Sequence, residues 1–161
     1  MTDPAETSVR RQLEELGIEH EVVPCDPDLA DTAAFCEAYG YAPEDSANTI
    51  VVAGKFTPPV YAACVVLATN RLDVNGAVRR RLGARKASFA SADETKDLTG
   101  MLIGGVTAVG LPPGLPVWVD AAVMERERIV LGGGSRSCKL VVAPGALRKI
   151  PNVEVVDQLA R

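Results

Sequence analysis

The chain has one histidine, His20, and four scattered cysteines, Cys25, Cys36, Cys64 and Cys138, with no C-x-x-C pair and no His cluster beside them. These absences argue against a zinc site and a thioredoxin-like redox pair. A cysteine nucleophile needs a base or an electropositive setting, which a single histidine supplies poorly. The thiols are therefore expected to be reduced and mostly buried, and His20 to be structural or solvent-facing. No apolar run approaches the ~20 residues of a membrane-spanning helix, so no membrane partner is expected. Met1 to Val9 carries Asp3 and Glu6 and lacks the apolar centre of a secretory signal, which gives a cytoplasmic expectation. No repeat, linker or low-complexity tract interrupts the 161 residues, a length suited to one domain spanning 1–161.

Charge is also limited. The net value of −4 argues against coating a nucleic acid, and no DNA partner is expected. The distribution is uneven, with three Lys/Arg against twelve Asp/Glu in residues 1–60 and fourteen against nine in residues 61–161. The basic half either faces a phosphate backbone or is remixed with the acidic half by folding.

Hydrophobic spacing supplies the elements. Val9, Leu13 and Leu16 after Thr7-Ser8 predict a helix that stops at Gly17, followed by an edge strand over Ile18 to Val23. Asp31 or Thr32 caps a second helix running to Tyr39, ended by Gly40. Thr49 to Ala53 and Val60 to Ala68 read as a buried hairpin. Asp73 opens a helix with Val74, Val78 and Leu82 on one face and Arg79, Arg80 and Arg81 around the rest. Ser91 and Glu94 form a capping box. Strand Val117 to Val119 follows a Gly/Pro-rich loop, and Ile129–Leu131 and Leu140–Val142 flank a glycine-rich hairpin tip. A helix start at Pro144 and a strand over Val153 to Val156 complete the chain. Strand pairs joined by loops too short for a crossover predict an α+β class with a mixed, mainly antiparallel sheet.

Three features could form a site. Gly104-Gly105-Val106-Thr107 brings backbone amides within reach of a carbonyl or oxyanion, or is simply a tight turn. Gly132-Gly133-Gly134-Ser135-Arg136 could cradle an anion, but it lacks the strand-to-helix setting and Lys-Ser/Thr ending of a P-loop. Asp120, at a strand end, either delivers a carboxylate to a loop-lined edge or caps the turn at Ala121 and Ala122.

The order Thr99-Gly100, Ile103 to Gly110, Pro116-Val117-Trp118-Val119-Asp120, Gly132 to Ser135 and Leu140 to Leu147 resembles the YbaK family. That family includes bacterial Cys-tRNA(Pro) and Ala-tRNA(Pro) deacylases and the editing domain inserted in bacterial prolyl-tRNA synthetases. The resemblance extends upstream through Val60 to Ala68 and Leu82 to Lys86. It implies a barrel-like sheet flanked by helices. It also implies hydrolysis of the ester between a small amino acid and the tRNA 3′ end, in trans and without a metal or cofactor, with a prolyl-type synthetase as possible partner. Under it, Gly104, Gly105, Val106 and Thr107 would hold the aminoacyl group. Asp120 would be the strand-end acid, and Gly132, Gly133, Gly134, Ser135 and Arg136 a second substrate-binding loop. Candidate tRNA contacts are Arg79, Arg80, Arg81 and Lys86, and valine at 105 is expected to block the pocket.

Asn48 departs from the family pattern, which places a lysine just before the Thr-Ile-Val-Val-type strand. Asparagine donates hydrogen bonds but brings no charge. Lys55, seven residues further along an extended chain, is roughly 23 Å away. Lys86 or Arg136 could supply the charge from elsewhere. The alternative function is accordingly a binding module for an aminoacyl or aminoacyl-adenylate group, or for a synthetase, without turnover.

Overall fold

Asp3, rather than Thr7-Ser8, opens the first helix in the computed structural model, which describes residues 3–161. Met1 and Thr2, the start of the segment lacking a leader-like centre, lie outside the described residues. The Asp3 carboxylate accepts the Ala5 amide and Pro4 fills the first turn, so α1 spans Pro4–Glu15 and buries Val9 and Leu13. Strand β1 is Glu21–Pro24, and α2 is Thr32–Tyr39, closed by Gly40 in the left-handed conformation. The apolar hairpin forms as expected, β2 Ala47–Gly54 pairing antiparallel with β3 Val60–Leu67.

The helix after Asp73 is not continuous α-helix. The Asp73 carboxylate accepts the Gly76 and Ala77 amides, and its carbonyl accepts the Val78 amide. The first turn, Val74–Val78, is therefore π-helical and leads into α3, Arg79–Leu82. A short unforeseen strand, β4 Ala87–Phe89, then pairs with the end of β2. Helix α4 is Ala92–Thr99, with the Ser91–Glu94 capping box fully formed. Strands β5 Val117–Asp120, β6 Ile129–Gly132, β7 Cys138–Val142 and β8 Val153–Val156 follow, and Pro144–Lys149 is 3-10 rather than α-helical.

The expected barrel-like closure is overturned. The strands form an open five-stranded sheet, β4-β2-β3-β5-β8, and an open three-stranded sheet, β1-β7-β6. Closure requires edges to pair, whereas β4 and β8 stand at opposite edges of the larger sheet and β1 and β6 at those of the smaller. Among the described residues the backbone bridge between the sheets is a single parallel one, Ser46–Val130. The pairing is mixed, parallel for β3/β5 and β5/β8 and antiparallel for the rest.

Strand β3 is apolar from Ala62 to Leu67 because both its faces are covered there. Ala63 and Val65 join the main core with Val9, Leu13, Val117, Leu131 and Leu140, while Ala62, Cys64 and Val66 pack with Val52, Val78 and Trp118 on the opposite face. Among the described residues no helix is long and apolar enough to cross a membrane.

Removing the Ser91 cap tests the link between α4 and the fold. Ser91→Ala should lower stability by about 1 kcal/mol, read by urea denaturation, because the Glu94 amide loses its acceptor.

A candidate active site between the two sheets

The parallel bridge Ser46–Val130 sets β2 beside β6, and two residues further along lie Asn48 and Gly132. Both line a cavity of about 370 Å³. Its walls come from residues 47–51 of β2, from Gly132 and Lys139 of the smaller sheet, from Ile103, Gly104 and Val106, and from Asp31 and Thr32 at the start of α2. Phe89 and Ile103, 59% and 55% exposed, also line it and mark its mouth.

The polar groups in the cavity are few. The Asn48 side-chain oxygen accepts the Thr32 hydroxyl at 2.8 Å, which leaves the amide NH2 as donor. The Thr49 hydroxyl is buried and has no hydrogen-bond partner among the described residues. Lys139, 7% exposed, lies opposite Gly132 in the β6/β7 register. Its Nζ donates to the Gly104 carbonyl at 2.7 Å and stands 5.6 Å from the centre of the Phe35 ring. Burial holds the Lys139 ammonium below the usual lysine range.

The glycines of the two loops serve chiefly to let backbones meet. A Cβ on Gly105 would strike the Ser135 backbone, one on Gly132 the Val106 carbonyl, and one on Gly133 the Cys138 sulfur. The Gly134 amide donates to the Gly105 carbonyl at 2.8 Å, and the Gly105 amide donates to the Leu102 carbonyl at 2.9 Å. The Gly105 amide is thus already paired, and Gly105 does not line the cavity. Gly134, with φ 96°, packs against Val9 and Ala5 of α1, and the Ser135 hydroxyl donates to Glu6 at 2.7 Å. Of the second loop, only Gly132 reaches the cavity wall. Thr107 is fully buried outside the cavity lining.

Arg136 acts on loops. Its guanidinium donates to the carbonyls of Pro27 and Ile103 and to the Asp31 carboxylate at 3.2 Å, tying the segment before α2 to the first glycine loop. Asp120 is 2% exposed and lies away from the cavity; its carboxylate accepts the Leu159 amide at 3.0 Å and the Ala160 amide at 3.4 Å. Burial pushes its pKa up. Arg81 pairs with Glu154 on β8 and lies over Trp118, on the face of the larger sheet opposite the main core. Strand β8 stands three strands from β2, roughly 14 Å. Lys86, exposed, precedes β4 and so lies roughly 10 Å from Phe89 at the cavity mouth. All four cysteines are buried; burial pushes the Cys64 thiol up to about 12, and burial together with Glu6 pushes Cys138 up to about 11, the reverse of an activated thiolate.

Sequence reasoning passed over Lys139 and Thr49. The available signal for the first was a lone lysine inside Cys138-Lys139-Leu140-Val141-Val142, a strand central to its sheet with no solvent-facing edge.

Two open sheets spread about a donor-lined cleft, backed by tightly packed glycine loops, define a ligand-binding α+β domain. The chain belongs to the aminoacyl-tRNA editing domain family, whose match runs over residues 26–150 and takes in every residue of the cavity wall. Over 110 residues it is 23% identical to EbsC of Enterococcus faecalis, described as a candidate Cys-tRNA(Pro)/Cys-tRNA(Cys) deacylase. That alignment covers 68% of this chain and 65% of EbsC, so the chain spans just under two thirds of that relative. Among solved structures, a candidate trans-editing enzyme for prolyl tRNA synthetase superposes with TM-score 0.82 at 25% identity over 98% of both chains. Hypothetical protein APE2540 shares the fold, with TM-score 0.84 at 23% identity over 96% of this chain and 99% of its own.

Substitutions at two positions separate packing from chemistry. Gly105→Val should destabilise the fold by about 1–3 kcal/mol or more through collision with the Ser135 backbone, lowering the urea midpoint, instead of filling the cavity. Asp120→Asn keeps an oxygen acceptor and removes a buried charge. Because the folded-state pKa of Asp120 is raised, its favourable contribution is present below the unfolded value of 3.8 and is lost as pH rises through the folded one. Asp120→Asn should therefore hold or increase stability near neutral pH and flatten its acid dependence. Asp120→Ala, leaving two amides unpaired, should lose about 1–3 kcal/mol in the same urea titrations.

Proposed function

We propose that this chain is a trans-acting aminoacyl-tRNA deacylase, a single cytoplasmic editing domain that removes a small noncognate amino acid from the tRNA 3′ end, working beside a prolyl-type synthetase. The observation that carries this reading is the convergence of Asn48, Thr49, Gly104, Val106 and Gly132 on one cavity. Its volume of about 370 Å³ is near the lower end of the roughly 300–1,000 Å³ of ligand sites, suited to a small acyl group. The names carried by EbsC and by the similar solved structure support the same substrate class.

The chemistry requires little machinery. An aminoacyl ester is already activated, so holding it in place and stabilising the oxyanion accounts for hydrolysis without a nucleophilic side chain. Water oxygen adds to the acyl carbon, the bond from that carbon to the ribose oxygen breaks, and the proton passes to the ribose oxygen. Free amino acid and a tRNA with its terminal hydroxyl restored are the products. The Asn48 NH2 is a donor left free on a residue that lines the site, and the backing glycine loops fix the wall against which the acyl group rests. A second reading, binding without turnover, draws on the neutrality of Asn48 itself, which anchors on Thr32 and carries no charge.

Incubation with tRNAs charged with Ala, Ser, Cys and bulkier residues decides between them. The small acyl groups should be released with mutual discrimination of only ~1–3 kcal/mol, and bulky ones should be rejected. No release above buffer from any of them would contradict the deacylase reading. In the same assay Lys86→Ala should reduce the slope of log affinity against log salt by about 0.7–0.9, one phosphate contact. Arg80→Ala, on the helix across the far face, should change it much less.

A further inference from the structure

Among the described residues Lys139 is a buried cation without a dedicated counter-ion. The titratable and charged groups around it are Cys25, Arg136, Asp31 and Cys138. Burial pushes both thiols up, so they stay neutral near physiological pH. Asp31 is held by Arg136 at 3.2 Å, and that pair balances itself. Lys139 keeps one protein acceptor, the Gly104 carbonyl at 2.7 Å, and an ammonium carries three donors. Two donors therefore remain, in a cavity that Asn48, with its free amide NH2, also lines. A charge buried on these terms is unfavourable for stability unless a ligand completes its coordination.

The position also selects the ligand group. Permanently charged phosphates, which keep their hydration most easily at the open mouth beside Phe89 and Ile103, do not reach the buried end of the cavity. Lys139, 7% exposed, sits where only the acyl end would reach. Building on the deacylase reading, we propose that Lys139, projecting from β7 past Gly132, binds the acyl carbonyl and stabilises the oxyanion formed on it, supplying from the smaller sheet the charge that Asn48 does not supply from β2. Asn48, whose amide NH2 is not used by Thr32, adds a neutral donor from β2.

The test uses the intact chain and 3′-alanylamino-3′-deoxyadenosine, in which an amide replaces the ester, with calorimetric affinity and deacylation rate measured for wild type, Lys139→Met and Lys139→Arg. Lys139→Met should lose at least ten-fold in analogue affinity and roughly 10²-fold in kcat, while Lys139→Arg keeps a measurable part of both. A second measurement needs no variant: affinity of the wild type for the lactoyl counterpart, which lacks an amine, should fall as pH rises through the lowered Lys139 pKa. Lys139→Met with wild-type affinity and rate, a wild type that does not bind the analogue, or an affinity flat across the alkaline range would each overturn the assignment. Wild-type turnover together with an indifferent Lys139→Met removes only the lysine's role. Analogue binding that needs Lys139, with no turnover on any charged tRNA, keeps that role and removes the deacylase reading.

Discussion

The structure depends on the close backbone approach of two loops. The segment Gly104–Val106 lies directly on Gly132–Ser135, and Gly105, Gly132 and Gly133 are glycine because a Cβ at any of them would overlap neighbouring backbone or the Cys138 sulfur. The Gly134 amide fixes the pair through the Gly105 carbonyl, and Arg136 extends the assembly to Pro27, Asp31 and Ile103. This packing carries the first loop to the edge of β6, where its Gly104 carbonyl meets Lys139. Without it the two sheets, bridged at Ser46–Val130, would have no common wall for a cavity.

The secondary structure was largely legible because each element has a local cause. The β2/β3 hairpin, the Ser91–Glu94 box and the glycine ends of α1, α2 and α3 follow from residues next to one another. Misplaced boundaries also have local causes: Asp3-Pro4 provides a better start than Thr7-Ser8, and Asp73 accepts two amides and opens a π turn. The barrel was not a local inference. Whether edges meet depends on β4 being three residues long and on β8 joining the parallel side of the sheet.

The site was only partly legible for the same reason. The glycine loops announce close approach, but sequence does not say whether a ligand or another loop approaches; here Gly105, Gly133 and Gly134 meet protein and only Gly104 and Gly132 border the cavity. Asp120 satisfies amides near the C-terminus. Lys139 becomes visible only once the β6/β7 register sets it opposite Gly132 and the Ser46–Val130 bridge brings Asn48 alongside. The uneven charge along the chain is likewise remixed, since Arg126 pairs with Asp45 and Arg136 with Asp31.

The central claim is that the acyl group of the substrate lies in the cleft between β2 and the smaller sheet. A crystal structure with a 3′-aminoacylamino-3′-deoxyadenosine bound tests it most directly. The account predicts the acyl group between residues 47–51 and Gly132, its carbonyl oxygen within hydrogen-bonding distance of Lys139, and the adenosine at the mouth beside Phe89. Density for the ligand on the Arg79–Arg81 face, with the cleft empty, would contradict it.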